Sequence, residues 1–285
     1  MKYITLPASL STASPDSGTP VRQLSFYLAM EEYVARQLLP SPVTRHPSPS
    51  TIHHPLSTIH HPLSTIHPSP STIHHPPTAD AFFLWQVAPS VIFGRNQVME
   101  NEVNTAYCRE HGISMFRRKS GGGCVYADMG NVMLSYITTE ENVGFAFNRF
   151  VNMIMLVLRS VLETSHCGVS HHNDILVGDK KVCGTACYYM AGRTIVHSTM
   201  LYDTNMQHML NAITPSREKL QKKGIESVRQ RITLLKDYTT LTLEGLKSLI
   251  RETLCDGEVV LTADDVAAIE QIEQSYLKEE FIKLL

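Results

Sequence analysis

Apolar residues recur along this chain at two different periods. Phe147, Val151, Ile154, Leu158 and Val161 fall at steps of three and four, which puts one continuous stripe on an α-helix and predicts a long one there, its stripe packed into a core. The same step gathers Phe26, Met30, Tyr33 and Val34 on one face of an N-terminal amphipathic helix. It also predicts helices over residues 243–253 and 264–285, the second with Val266, Ile269, Ile272 and Tyr276 on one face and a polar cap around Thr262. Short runs at 82–87, 132–137, 175–177 and 194–196 read as strands, and Gly178-Asp179 reads as a hairpin tip after the third. The alternation of both periods predicts a mixed α and β domain.

Between the first helix and the strand at 82–87 the pattern changes to a repeat of seven residues, SPSTIHHPLSTIHHPLSTIHPSPSTIHHPP, at 48–77. A proline in every unit excludes a coiled coil, and isolated Ile or Leu cannot bury a core, so an extended or disordered surface insert over about 41–79 is expected. The regularity suggests tandem duplication. Seven histidines from His53 to His75 could bind a transition metal weakly, against the plainer reading of a tolerated solvated insert.

Composition fits one domain over 1–285. Hydrophobic residues make up 43% of the 285, enough for a sizeable core, and a net charge of −2 offers no electrostatic reason to expect nucleic acid or a membrane as partner. The first residues lack the basic start and apolar run of a secretory signal. Cysteines 108, 124, 167, 183, 187 and 255 form no Cys-x-x-Cys pair, which argues against a zinc site and fits reduced thiols in a cytoplasmic protein.

The chemistry is concentrated in RRKSGGGCVYADMGN, residues 117–131. Gly121, Gly122 and Gly123 let the backbone turn sharply and aim several N–H groups at one anion, with Arg117, Arg118 and Lys119 supplying charge beside it. The spacing is neither the P-loop nor the dinucleotide glycine pattern. A second cluster follows the predicted hairpin tip, where Lys180 and Lys181 must point to opposite faces of the returning strand. A lone strand lysine is usually solvated, yet Cys183-Gly184-Thr185-Ala186 beside this pair leaves room for something bulky.

Together these segments resemble the lipoate-protein ligase family, whose catalytic domain carries Arg-Arg-x-Ser-Gly-Gly-Gly-x-Val-Tyr/Phe-His-Asp-x-Gly-Asn and later Asn-Asp-Ile/Leu followed by Lys-x-x-Gly-x-Ala. The matching residues are 117–131, Asn173-Asp174-Ile175 and Lys181 to Ala186. The resemblance extends to 84–97, to His197-Ser198-Thr199-Met200-Leu201 and to 222–235, leaving out little but the repeat.

The resemblance implies an α/β (α+β) fold, a central mixed β-sheet flanked by helices as in biotin/lipoate protein ligase-like catalytic domains. It implies ATP-dependent activation of lipoate to lipoyl-AMP, then transfer of the lipoyl group to a lysine of an acceptor domain. Lys181 would be the catalytic lysine. Arg118, Lys119, Ser120, Gly121, Gly122, Gly123, Cys124, Val125, Tyr126, Ala127, Asn131, Asn173, Asp174 and Lys181 would line the nucleotide, with Mg²⁺ on the phosphates and Asp128 or Asp174 assisting it. Lipoyl domains of 2-oxoacid dehydrogenase complexes and the glycine cleavage H-protein would be the acceptors.

Two departures qualify that expectation. The family histidine before Asp128 is Ala127 here, and the chain stops at Leu285, about where the catalytic domain would end. A C-terminal accessory domain is therefore expected to be absent, which leaves adenylation either impaired or dependent on a separate subunit. Two other classes stay open: a carrier-to-carrier octanoyl or lipoyl transferase using Cys167 as thioester nucleophile near His166, His171 and His172, and a non-catalytic binder of lipoate or lipoyl-AMP. His197 reads as a hydrogen-bonded structural residue, and Trp85 as a core or pocket-wall residue.

Overall fold

A computed structural model of the 285-residue chain describes residues 1–7, 22–39, 80–162, 167–170, 174–214 and 232–283. The histidine repeat, His166, His171, His172, Asn173 and residues 222–231 of the third resembling segment lie outside the described residues.

Among the described residues the elements run β1 (Lys2–Thr5), α1 (Leu24–Tyr33, prolonged by a π-helical turn at Val34–Leu38), β2 (Ala81–Trp85), β3 (Ser90–Phe93), α2 (Met99–Glu102), α3 (Thr105–Glu110), β4 (Ser114–Arg117), β5 (Val125–Ala127) and β6 (Asn131–Thr138). They continue as α4 (Val143–Val161), β7 (Cys167–Val169), β8 (Asp174–Val177), β9 (Lys180–Met190), β10 (Arg193–Leu201), α5 (Met206–Ala212), α6 (Leu243–Leu254), β11 (Gly257–Val260), α7 (Ala263–Leu277) and α8 (Glu279–Lys283).

Eight strands form the main sheet in the order β11-β1-β2-β6-β10-β9-β8-β7, and three form a small sheet, β4-β3-β5. Neighbours are antiparallel except β1 with β11 and β2, and β3 with β4, so both sheets are mixed. The expected mixed sheet flanked by helices is present.

Each face of the main sheet is covered as the apolar periods require. Helix α4 lays Phe147, Val151, Ile154 and Leu158 against Val132, Leu134, Tyr136 and Val196 of the sheet. Helix α1 departs from the amphipathic reading, because every residue from Leu24 to Tyr33 is buried. It lies between the sheet and α7: Glu31 reaches Ser135 and His197, while Ser25 and Tyr33 reach Glu273 and Asp265. A polar residue on its "outer" side thus faces α7 rather than water.

The predicted C-terminal helix over 264–285 is two helices, because Lys278 takes an extended conformation (φ −64°, ψ 130°) between α7 and α8. Thr262 does cap α7, in a capping box with Asp265. Strands β1, β3, β4, β5, β7 and β11 were not read from the sequence.

Candidate active site

The glycine loop leaves β4 and re-enters the small sheet at β5, and its shape is held by the two arginines that precede it. Arg117 is 1% exposed; it donates through Nη1 to the carbonyls of Gly94 (3.1 Å), Arg95 (2.9 Å) and Gln97 (2.7 Å) and through Nε to Ile282 O (3.0 Å). Arg118 donates to Ile92 O (3.1 Å), to Gly121 O and Gly123 O (both 2.7 Å), and through Nε to Ser120 Oγ (2.9 Å). Burial lowers its guanidinium to about 10, still charged at neutral pH.

Arg118 fixes the carbonyls of Gly121 and Gly123, and with them the N–H groups of Gly122 and Cys124, which point the opposite way across the same planar peptides. Gly122 adopts φ +94°, which favours glycine. Among the described residues no backbone carbonyl receives the N–H of Gly121, Gly122 or Gly123. Lys119 points elsewhere: Nζ pairs with Glu32 Oε2 at 2.5 Å and sits 4.6 Å above the Tyr276 ring. The side-chain charges of this cluster are therefore engaged inside the protein, and the loop offers its amides.

The charge that reaches the cavity comes from β9. The turn at Gly178-Asp179 forms as expected, leaving Lys180 exposed, while Lys181 is directed into the cavity. An irregularity between β8 and β9 sets Leu176 opposite Lys181 but Ile175 opposite Cys183, so one extra residue, Val182, is accommodated and buried. The Lys181 ammonium stands 2.9 Å from Asp174 Oδ1 on the neighbouring strand. Its backbone is braced as well, since Lys181 pairs with Ile232 and accepts a hydrogen bond from Thr233 N at 3.0 Å.

Loop and lysine meet across a cavity of about 430 Å³, within the usual range of small-molecule sites, roughly 300–1,000 Å³. Arg118, Gly121, Gly122, Gly123, Cys124 and Val125 line it from the loop, and Asp174, Lys181, Gly184 and Thr185 from β8 and β9. Leu28, Trp85, Ile92 and Met133 supply an apolar part. One region is thus anion-receptive and another suited to a hydrocarbon chain.

Several predicted residues stand behind this wall. Tyr126 and Ala127 are buried, and Asn131 accepts from Asp128 N at 3.0 Å. Asp128 accepts from Gly130 N and Asn205 N (2.9 and 2.8 Å), which ties the β5–β6 turn to the start of α5. Ser120 Oγ meets His197 Nε2 at 2.7 Å.

Cys167 is 7% exposed, its thiol hydrogen-bonded to Met155 Sδ at 3.4 Å and pushed up by burial. That is a core residue rather than the nucleophile of a thioester transferase. Burial likewise raises Cys124, to about 12, and Cys187, so the two thiols that line the cavity are held protonated.

Sequence reasoning missed Glu31. It is fully buried, accepts from Ser135 Oγ at 2.6 Å, and meets His197 Nδ1 at 3.0 Å; Ser135 in turn receives Trp85 Nε1 at 2.9 Å. The available signal was an acidic pair, Glu31-Glu32, inside an otherwise apolar helix.

Residues 71–255 match the Lipoyl protein ligase A/B catalytic domain family. The chain is 33% identical to lipoate-protein ligase LplJ of Bacillus subtilis over 196 residues, covering 65% of this chain and 59% of that protein. It is 33% identical to lipoate–protein ligase 1 of Staphylococcus aureus over 204 residues, 69% and 62% of the two. The chain thus spans about three-fifths of the length of these curated relatives.

A solved bi-partite lipoate protein ligase from Thermoplasma acidophilum is 26% identical and superposes with a TM-score of 0.63 over 73% of this chain and 86% of that one. A lipoate-protein ligase A structure bound with ATP shares the fold (TM-score 0.69, 20% identity, 100% and 99% covered). With the family matched over more than half its length, this chain belongs to the lipoyl protein ligase A/B catalytic-domain family.

Proposed function

We propose that this chain is a lipoate-protein ligase that couples ATP to lipoylation in two steps. The lipoate carboxylate attacks the α-phosphorus of ATP, the bond to the β-phosphate breaks, and pyrophosphate leaves. The ε-amine of an acceptor lysine then attacks the carbonyl carbon of lipoyl-AMP; the C–O bond to AMP breaks and the amine loses a proton. The observation that carries this reading is the convergence of the Lys181 ammonium and the Gly121–Gly123 loop on one cavity with an apolar extension.

Lys181 is assigned as the catalytic residue. A compact ammonium can bridge the negative charge growing on the carbonyl oxygen and that on the α-phosphate, a preorganised role worth roughly 3–4 kcal/mol for single donors elsewhere. Asp174 aims it through the 2.9 Å ion pair. Ser120 to Val125 and Arg118 are assigned to nucleotide binding chiefly through the loop backbone, with Lys119, Tyr126, Ala127 and Asn131 supporting its shape and Asn173 adjoining Asp174. Leu28, Trp85, Ile92 and Met133 would take the lipoyl chain. Neither step needs a nucleophile from this protein, in keeping with its protonated thiols.

Magnesium suits the same cavity. Among the described residues no three His, Cys, Asp or Glu side chains gather as a metal cage, but magnesium on a nucleotide needs only one or two carboxylates beside the phosphates, and Asp174 supplies one. Bound there it would offset phosphate charge.

Lipoyl domains are the proposed acceptors, supported by the E2 lipoyl domain named with the archaeal bi-partite ligase. The bi-partite organisation named for that archaeal ligase supports a second reading, in which a separate subunit completes adenylation. The test is mass spectrometry of a purified apo lipoyl domain incubated with the protein and either lipoate plus Mg-ATP or preformed lipoyl-AMP. Product from both donors indicates a self-sufficient ligase, and product from lipoyl-AMP alone indicates a partner requirement. Product from neither rejects the ligase reading.

A further inference from the structure

Arg118 and Glu31 are a buried cation and a buried anion that do not touch. Arg118 is 4% exposed and Glu31 0%. Among the described residues Arg118 has no carboxylate, and Glu31 no lysine or arginine, within ion-pair distance. Separated buried charges are costly. Here the gap between them is filled by Ser120 and His197, with links of 2.9 Å (Arg118 Nε to Ser120 Oγ), 2.7 Å (Ser120 Oγ to His197 Nε2) and 3.0 Å (His197 Nδ1 to Glu31 Oε2).

The direction of these bonds follows from the ends. A guanidinium only donates and a carboxylate only accepts. Ser120 Oγ therefore accepts from Arg118, and its own O–H goes to His197 Nε2 at 2.7 Å in preference to Gly121 O at 3.5 Å. With the imidazole neutral, this leaves the His197 proton on Nδ1, donated to Glu31. Every dipole then runs from cation to anion, an arrangement in which each bond polarises the next.

We propose that Glu31 and His197 are positioning residues for the glycine loop, acting through Ser120 and Arg118. This rests on the reading above that the loop holds the nucleotide. The carboxylate of α1 balances the guanidinium that grips Gly121 O and Gly123 O; without it, Arg118 is a buried charge with only carbonyl and hydroxyl partners. The guanidinium then relaxes towards solvent, and the amides of the loop lose their aim at the phosphates.

The test uses the full chain and the variants His197→Leu, His197→Gln and Glu31→Gln. Glutamine at 197 can accept from Ser120 and donate to Glu31, whereas leucine does neither. Calorimetry should give Mg-ATP binding weakened about tenfold in His197→Leu and Glu31→Gln, and restored to within about threefold in His197→Gln. Equal affinity in wild type and a folded His197→Leu overturns the proposal. Nitrogen-15 shifts of the wild-type imidazole, assigned among the 14 histidines by the signal lost in His197→Gln, read the relay directly. Protonation on Nδ1 alone supports it, and an Nε2 proton, alone or in addition, overturns it. Absence of ATP binding by the wild type would count against the ligase reading, while the nitrogen shifts would still decide the relay.

Discussion

The side chain of Lys181 lies across the α-carbon of Gly184: a β-carbon there would meet Lys181 Nζ and come within 2.7 Å of its Cε. The small residues after the lysine thus make room first for the lysine itself. Gly184→Ala must push the ammonium away from Asp174 and out of the cavity centre. A displacement of this kind, near 1 Å, is expected to lower kcat about a hundredfold. Circular dichroism should remain that of wild type. Unchanged kcat would mean that Lys181 needs no such seat.

Arg118→Lys is expected to destabilise the protein by about 3 kcal/mol, because one ammonium cannot serve the carbonyls of Ile92, Gly121 and Gly123 and the Ser120 hydroxyl together. Urea unfolding measures the change. A loss under about 0.5 kcal/mol, the level of an ordinary surface substitution, would show that the fork is not what holds the loop.

Cys167→Ser is expected to keep lipoylation within about twofold of wild type while costing about 1 kcal/mol of stability, since it puts a hydroxyl against Met155 in the core. Kinetics of acceptor modification decide the point. Abolished transfer with intact folding would restore the thioester alternative.

Acid stability should depend on Glu32. Burial pushes its carboxyl up, but the hydrogen bond and charge of Lys119, and then Arg36, outweigh this and hold it below the ordinary 4.5. A lowered folded-state value contributes stability that is complete above 4.5 and is lost as pH falls through the folded value. Glu32→Gln should therefore lower Tm at neutral pH and flatten the fall in Tm below 4.5. Parallel Tm curves for variant and wild type would refute the coupling.

How much of this was legible in the sequence depended on how far apart the cooperating residues lie. The glycine loop and the turn before Lys181 are local: backbone chemistry and residue type sit within a few positions, and both formed as read. Long-range pairings carry no local signal. Lys2–Thr5 is too short to declare itself a strand, and its partner Gly257–Val260 lies at the other end of the chain. The facing of α1 could not be read because a helix between two layers loses its polar stripe, which hid Glu31 among core residues. The inward turn of Arg117 and Lys119 was hidden for the same reason, since carbonyls at Gly94 and Ile282 and the Glu32 carboxylate are brought together only by the fold. The break at Lys278 interrupts an apolar period that continues on both sides of it, so the period alone predicted one helix.

Lys181 is assigned to stabilise the charge that develops as lipoyl-AMP forms and reacts. The direct measurement is a single-turnover assay of wild type and Lys181→Ala, following lipoyl-AMP by chromatography and the acceptor domain by mass spectrometry, with Mg-ATP affinity measured alongside. Lys181→Ala should bind ATP with modestly reduced affinity and lose about 10²–10³-fold in the rate of both adenylate formation and transfer. Rates within threefold of wild type in a folded Lys181→Ala would contradict the assignment and require another source of positive charge at the reacting carbonyl.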